Sequence, residues 1–355
     1  MTIVYDLADP TELVGYARRF ANEVLMNQFT GQQYLPNRTV DDIEYALKRS
    51  GLQDVDIAKY RPWDVPAPMT GRPGVARLRG EIAPVSRQIA LSEEEGLRLR
   101  ALERDSNDEI IDAIFDDTER MIRAVEGRIE VARFDTMIDG KCTLKEHNLD
   151  LEVDYGMPAD QKITVGTPWT VANKATATPI ADMLAAQELS VRRNGTRLAR
   201  TVMSSLRIPA LLVNDEVRDY VAGGGNVPVR VRLEDVQGVL AEQGLPRIEF
   251  YDAMVRDGGV QKYVLPPEYV LMQPAEQFGE TLYGPTAEGV LLAQKGYISA
   301  RQASGLVAVV TQNDHPVQTF TVGTGVALPV IPNSELLFTL KVDASDPSTT
   351  VISQF

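Results

Sequence analysis

The chain has 355 residues, of which 44% are hydrophobic and 24% are charged, and its formal net charge is -14. This composition is typical of a globular protein with two compact lobes, or with one core and extensions, and it excludes wholesale disorder. The acidic charge argues against a DNA-binding surface. We expect neither a signal peptide nor a membrane-spanning helix, because no basic start precedes an apolar core and no segment offers about eighteen uninterrupted apolar residues.

The first predicted element is a short amphipathic helix. Asp9 and Pro10 supply a cap and a first-turn proline, and apolar residues then recur at helical spacing: Leu13, Ala17, Phe20, Val24 and Leu25. Since this apolar stripe has to be covered, we expect the helix either to dock on a neighbouring subunit or to pack on its own domain.

The composition changes sharply between Arg61 and Ala90. Prolines and glycines interrupt any helix or central strand there: Pro62, Pro66, Pro68, Gly71, Pro73, Gly74, Gly80 and Pro84. The stretch is also basic, with Arg61, Arg72, Arg77, Arg79 and Arg87 against Asp64 and Glu81. Between Val75 and Ile82, charged and apolar residues alternate loosely, which predicts a two-stranded ribbon that projects from the body of the protein. Such a ribbon needs a surface to pack on, and the alternative is a mobile loop.

The longest predicted helix runs from Ser106 to Asp139. It begins with capping-box spacing and ends before Gly140, and about 33 residues give a rod of roughly 50 Å. Acids fill its first half and arginines its second, which complements the helix macrodipole: Asp105, Asp108, Glu109, Asp112, Asp116 and Asp117, then Arg120, Arg123, Arg128 and Arg133. Gly127 interrupts the helix and is expected to permit a bend.

A hairpin and a second lobe follow. Strict alternation of apolar and acidic residues from Leu149 to Tyr155 predicts a strand with one solvent-exposed face, preceded by a turn at Lys145 to Asn148. The later predicted elements are a helix from Pro179 to Asn194, a buried strand at Ile208 to Val213, a helix capped at Asn214, a loop at Gly223 to Gly225, a hairpin from Ile248 to Leu265, a strand at Tyr269 to Met272, and strands at Val317 to Val322, Val326 to Ile331 and Leu336 to Val342. This order predicts two α+β domains.

The sequence assembles no recognisable active site, so we predict that the chain is not an enzyme. Neither His147 nor His315 has another imidazole or a cysteine at ligand spacing, and Cys142 is the single cysteine. We therefore expect no metal, no cofactor and no disulfide. The acidic run Glu93 to Glu95 is interpreted as a solvated face, and Gly223 to Gly225 lacks the ending of a phosphate-binding loop.

Short motifs in three regions resemble the lambda-type major capsid proteins of tailed double-stranded DNA bacteriophages. The first region is Gly140 to Trp169, which contains Val153-Asp154-Tyr155-Gly156. The second is Arg247 to Pro266, which contains Asp257-Gly258-Gly259. The third is Ala327 to Glu335, followed by a terminal strand.

The resemblance implies the α+β Hong Kong phage-type capsid fold, which encapsulin compartments share. It implies an N-terminal arm (1–55), an extended loop (56–92), a peripheral domain with a long spine helix and a hairpin (93–172), an axial domain (173–312), and C-terminal strands that return to the peripheral domain (313–355). Gly223, Gly224 and Gly225 would then belong to an axial-domain loop near the capsomer centre.

The function implied by the resemblance is that of a major head protein, which self-assembles into the pentamers and hexamers of an icosahedral shell around the DNA genome. Its expected partners are other copies of itself, a scaffolding protein, a portal and, as a further candidate, a decoration protein. We expect assembly in the host cytoplasm, a place in the virion, and an acidic wall that encloses DNA without specific binding. The alternatives are an encapsulin-like compartment, another virion component such as a tail-tube or ring protein, and a soluble enzyme.

Complementary blocks of charge predict where subunits meet. We expect arginines of the extended loop to pair with acids on a neighbouring spine helix. The candidate contact residues are Trp63, Arg72, Arg77, Arg79, Arg87, Asp108, Asp112 and Asp116.

Overall fold

The computed structural model describes residues 2–3, 9–49, 60–63, 76–94, 106–146, 148–223, 225, 231–315 and 317–343. Arg72, a predicted contact residue, and Gly224, a predicted axial-domain loop residue, lie outside these ranges, and at Arg77 and Asp108 the description is limited to the backbone. No helix within the described ranges is long and apolar enough to cross a membrane.

The described residues form helices and strands in mixed order. The helices are α1 (Pro10–Glu23), α2 (Ser106–Asp139), α3 (Pro179–Asn194), α4 (Ile208–Val213), α5 (Asp215–Ala222), α6 (Leu233–Glu242) and α7 (Ala287–Gln294). The strands are β1 (Thr2–Ile3), β2 (Asn37–Thr39), β3 (Glu44–Arg49), β4 (Ala76–Glu81), β5 (Pro84–Leu91), β6 (Lys141–Glu146), β7 (Leu149–Asp154), β8 (Lys162–Thr164), β9 (Leu198–Met203), β10 (Ile248–Phe250), β11 (Met254–Asp257), β12 (Val260–Tyr263), β13 (Tyr269–Pro274), β14 (Glu280–Tyr283), β15 (Val307–Asp314), β16 (Val317–Val330) and β17 (Phe338–Lys341).

The larger sheet is organised around β16. Strands β15 and β14 pair with successive parts of β16, β5 pairs with it over eight residues, and β1 and β2 extend the sheet beyond β15 and β14. Two separate closing strands were expected here, but residues 317–330 form one continuous strand. Gly323 and Gly325 suggested a break between two strands, but Gly323 marks a close approach of α2 instead: a Cβ at this position would lie 2.7 Å from Cβ of Met121.

Helix α2 packs across this sheet, and its predicted bounds are confirmed at both ends. Ile122, Val125 and Ile129 are buried in a cluster with apolar residues of α1 and β15. Gly127 does not break the helix. It lies where Phe29 and Val255 approach, since a Cβ at this position would be 3.5 Å and 3.4 Å from their side chains.

Helix α1 packs on its own chain, which was the second of the two expectations for its apolar stripe. Leu13, Ala17 and Phe20 are buried against α2 and β15. The Arg18 guanidinium fixes this position by donating to the backbone carbonyls of Gln302, Ser304 and Leu306. Val24 is exposed, because the helix ends at Glu23.

The second sheet has the order β10-β9-β13-β17-β8 and packs against the helices of the later lobe. The expected strand at Ile208 to Val213 is wrong, because these residues form the short helix α4 with a proline in its first turn. A short apolar run cannot be assigned to strand or helix by periodicity alone. The expected hairpin is confirmed over β11 and β12, whereas Ile248–Phe250 pairs in parallel with β9.

Strand pairing also differs from the expected domain boundaries. Strands β14 and β15, placed by the sequence in the axial domain (173–312), belong to the sheet that packs on α2. Strand β17, expected to return to the peripheral domain, pairs with β13 and β8 in the second sheet. Such pairings join residues far apart in the chain, so local patterns do not report them.

A buried charged cluster ties α2 to three other parts of the chain. Arg133 is 1% exposed, and its Nη1 lies 2.8 Å from Oε2 of Glu130 and 3.7 Å from Oε2 of Glu126. Its remaining donors reach Thr281 and Tyr283 of β14 and Asn37 of β2. Oε1 of Glu130 accepts from the backbone N–H of Gly31 and from the hydroxyl of Tyr251, both at 2.7 Å. We call these residues the Arg133 network.

The two carboxyl groups of the Arg133 network differ in environment. Burial raises the pKa of Glu126, although Arg133 and the hydrogen bond from Tyr283 oppose this effect. Burial alone would lower the pKa of Arg133, but the surrounding acidic groups hold it above its ordinary value, so the guanidinium stays charged. Glu130 is the carboxylate in close contact with Arg133, and Glu126 is the second, more distant one.

Substituting the two glutamates separately is expected to give unequal results. Glu130→Gln should lower the free energy of unfolding by about 3 to 5 kcal/mol, because it leaves a buried guanidinium without its close partner. Glu126→Gln should cost less than about 1 kcal/mol, since glutamine still accepts from Tyr283. Denaturant unfolding of both variants measures the difference, and equal losses would contradict the distinction between the two groups.

The raised pKa of Glu126 predicts that the free energy of unfolding depends on pH. Because the folded-state pKa of Glu126 is raised, its contribution to stability is fully present below the unfolded pKa of about 4.3 and is lost as pH rises through the folded value. Unfolding curves measured between mildly acidic and neutral pH should therefore show a downward slope in the wild type that Glu126→Gln reduces. An unchanged slope would assign the titration to other groups.

Gly31 offers a second test of the Arg133 network. A Cβ at this position would lie 2.5 Å from Oε2 of Glu130, so Gly31→Ala should displace the carboxylate and destabilise the fold by about 1 to 3 kcal/mol. The matched control is Gly15→Ala on the exposed face of α1, where nothing lies within 4 Å of the new methyl group. That change should stabilise the protein by about 0.5 to 1 kcal/mol. Thermal unfolding should move in opposite directions for the two variants.

Candidate assembly interface

The predicted two-stranded ribbon is present. Strands β3 and β4 pair antiparallel over six residues each, with Ala46 opposite Arg79. Tyr45 packs closely on Gly80, since a Cβ at Gly80 would lie 2.7 Å from the tyrosine hydroxyl. The first strand comes from residues 44–49, before the expected start of the extended loop at 56, and β5 joins the main sheet.

The described candidate residues lie on the surface. Trp63 is 94% exposed, and Arg79 on β4 and Arg87 on β5 are exposed as well. Asp112 and Asp116 are exposed on the first half of α2. Within the described residues none of these four charged side chains forms an ion pair, so these two arginines and two aspartates do not neutralise one another there. Gly223 is the left-handed cap of α5, and Gly225 is exposed.

The acidic face of α2 continues beside α1. The Tyr16 hydroxyl donates to Glu119, and this hydrogen bond, with burial and the charges of Glu119 and Asp116, raises the pKa of Tyr16 to about 12. Tyr16 also meets Phe115 edge to face, with ring centroids 4.9 Å apart. The first half of α2 therefore presents negative charge, and its contacts with Tyr16 of α1 hold it in position.

A cleft of about 1060 Å³ lies between the second half of α2, strand β5 and the hairpin formed by β11 and β12. Its lining includes the apolar residues Phe29, Val85, Val131 and Val255. The lining is also rich in arginine: Arg87, Arg120, Arg123, Arg128 and Arg256. We call it the basic cleft, and the sequence did not predict it.

The basic cleft could have been suspected from one signal. Arg120 and Arg123 are three residues apart and therefore share a face of α2. The sequence analysis explained them by the macrodipole alone. Their proximity to Arg87 and to the hairpin depends on tertiary packing that no local pattern reports.

Cys142, the single cysteine of the chain, is buried. Burial raises the pKa of Cys142 to about 11, so this group is a protonated thiol at neutral pH and a poor nucleophile. Across the ranges that the structure describes, no three His, Cys, Asp or Glu side chains are grouped so that they could hold a metal ion.

The architecture is that of a viral shell protein. The predicted Hong Kong phage-type α+β capsid fold is confirmed by solved structures of similar fold. A protein assigned to the capsid of an Escherichia coli CFT073 prophage superposes with a TM-score of 0.63 at 16% identity, over 95% of this chain and 99% of that one. A phage-related protein of Bordetella bronchiseptica RB50 gives a TM-score of 0.54 at 12% identity, over 98% and 99%. A comparison with curated protein sequences finds no match.

The chain belongs to the phage major capsid protein E family, whose model matches residues 19–342. It is thus a structural protein of the bacteriophage virion that self-assembles into an icosahedral shell. The resemblance to lambda-type capsid proteins is confirmed.

Proposed function

We propose that this chain is the major head protein of a tailed bacteriophage, and that it forms the pentamers and hexamers of a shell enclosing the double-stranded DNA genome. The observation that carries this proposal is that a chain of the capsid family has complementary charged side chains that form no ion pair within the described residues. Exposed arginines lie on β4 and β5, and exposed acids lie on α2.

The proposed parts of the subunit follow the expected order, adjusted to the strand pairing. The N-terminal arm (1–55) includes α1 and contributes β3 to the ribbon, and the extended loop (56–92) supplies β4 and β5. The peripheral domain contains α2 as its spine, the hairpin of β6 and β7, and the larger sheet. The axial domain is the lobe of α3 to α6 and the second sheet, with Gly223, Gly224 and Gly225 in a loop near the capsomer centre.

The charged candidates act between subunits. Arg72, Arg77 and Arg79 are proposed to pair with Asp108, Asp112 and Asp116 of a neighbouring spine helix, and Trp63 adds apolar area to the same contact. Arg87 is proposed as a further contact between subunits. A chain that forms both pentamers and hexamers needs contacts that tolerate small rotations. A ribbon lying across a neighbour satisfies this need better than a flat, rigid patch.

The remaining proposals concern the assembly partners of the shell and the location of assembly. The shell is proposed to assemble in the host cytoplasm with a scaffolding protein and a portal, and with a decoration protein as a further candidate. The subunit has no catalytic activity. Its net charge of -14 suits an inner wall that repels phosphates on average and encloses DNA without specific binding.

Expression of the chain, alone and with the genes that neighbour it, tests the proposed function. We expect closed particles in negative-stain micrographs and a fast-sedimenting species in velocity ultracentrifugation. A monomer that persists under every condition would contradict the proposal.

Charge reversal tests the contact between ribbon and spine. Arg77→Glu with Arg79→Glu should abolish fast-sedimenting particles while leaving the circular dichroism spectrum unchanged, because the described Arg79 side chain is exposed. Adding Asp112→Arg and Asp116→Arg should restore assembly. The matched control is Arg192→Glu, which disturbs one exposed ion pair with Glu188 on α3 and should assemble normally. Normal assembly of the doubly reversed ribbon would contradict the contact.

A further inference from the structure

The basic cleft holds arginines that have no carboxylate partner within the described residues. Arg128 and Lys262 are paired with Glu146 and Asp257, at 2.9 Å and 2.8 Å. Arg123, by contrast, donates to the uncharged amide of Gln28, and Arg256 donates to a backbone carbonyl.

Arg87 and Arg123 carry the unpaired part of this charge. Neither forms an ion pair within the described ranges, whereas Arg120 is paired with Asp117 at 3.3 Å. Guanidinium groups that line one cleft without carboxylate partners repel one another, which favours an anionic group between them. The cleft is therefore built to receive carboxylates or another anion.

The chain also presents a segment of matching chemistry. Residues Asp41, Asp42, Ile43 and Glu44, here called the acidic segment, are exposed in succession between β2 and β3. Ile43 is 50% exposed although it is a large apolar residue. Within the part of the chain that the structure describes, the three carboxylates form no ion pair, and Oδ1 of Asp42 accepts from the backbone N–H of Glu44 at 3.3 Å.

The acidic segment is held in position at both ends. The N–H of Val40 donates to the carbonyl of Tyr283, and the N–H of Ile82 donates to the carbonyl of Ile43. A segment fixed in this way loses little conformational entropy on binding, which favours its use as a docking element.

We propose that the acidic segment of one copy docks in the basic cleft of a second copy. Asp41 and Asp42 would face Arg87 and Arg123, and Ile43 would contact the apolar lining near Val85 and Val255. This inference rests on the proposed function, since it names one contact by which shell subunits meet. It gives Arg87 a partner different from that of Arg77 and Arg79 on the ribbon.

The geometry of such a contact fits a closed ring. The acidic segment and the basic cleft are different surfaces of the same chain, so the contact is head-to-tail and repeats from copy to copy. A nucleic acid fits the cleft less well. Asp135 and Glu268 line the cleft too, and Asp135 lies about three turns beyond Arg123 on α2, where it would repel a continuous chain of phosphates.

A charge swap in the full chain tests the docking. One variant carries Asp41→Lys and Asp42→Lys, a second carries Arg87→Glu and Arg123→Glu, and a third carries all four changes. Each of the first two should reduce the fraction of fast-sedimenting particles at least roughly tenfold, and the third should recover most of it. The matched control, Glu242→Lys with Glu276→Lys, makes the same change of charge at two other exposed acids and should assemble normally.

The outcomes separate this inference from the proposed function. Normal assembly of the Asp41/Asp42 variant overturns the docking while leaving the shell intact, whereas a wild-type chain that never assembles overturns the proposed function itself. Failure of the four-fold variant to recover, with each parent folded by circular dichroism, also overturns the pairing. So does a loss of bound nucleic acid that follows the arginine changes and is not seen with the aspartate changes.

Discussion

The Arg133 network is the constraint on which the remaining structure depends. A guanidinium that is 1% exposed has to be neutralised and hydrogen-bonded, and the groups that do this come from α2, from the segment around Gly31, from β2 and β14, and from Tyr251. Removing any one of them leaves a buried charge or donor unsatisfied. The network therefore fixes the N-terminal arm and both sheets relative to the long helix, and only then can exposed surfaces be presented in a defined arrangement.

Local chemistry was enough to predict several elements. The proline after Thr178 and the glycine after Asn194 delimit α3, and capping-box spacing and Gly140 delimit α2. The alternation of apolar and acidic residues from Leu149 to Tyr155 predicted β7, one face of which is exposed to solvent. In each case the signal is a backbone preference or a periodicity that acts within a few residues. Packing elsewhere in the chain therefore seldom changes the secondary structure that such a signal predicts.

The missed features depend on partners far away in the chain. Ile208 to Val213 is apolar enough for a buried strand, yet Pro209 and the burial of this turn against α5 and α6 favour a helix. The pairing of β17 with β8 joins residues near 340 to residues near 163. The exposed candidates Arg79, Arg87, Asp112 and Asp116 were identified from charge alone, whereas the basic cleft needs three elements to converge, and Arg133 looked like one more macrodipole arginine.

The contact between Gly323 of β16 and Met121 of α2 limits how a chain of this fold can change over evolutionary time. Relatives share the fold at 16% identity, so most side chains are replaceable when their neighbours adjust. Gly323 has no such freedom. A methyl group there would meet Cβ of Met121, which is attached directly to the rigid backbone of α2 and cannot move aside. Such positions act as anchors from which very distant sequences can be aligned when little else in them matches.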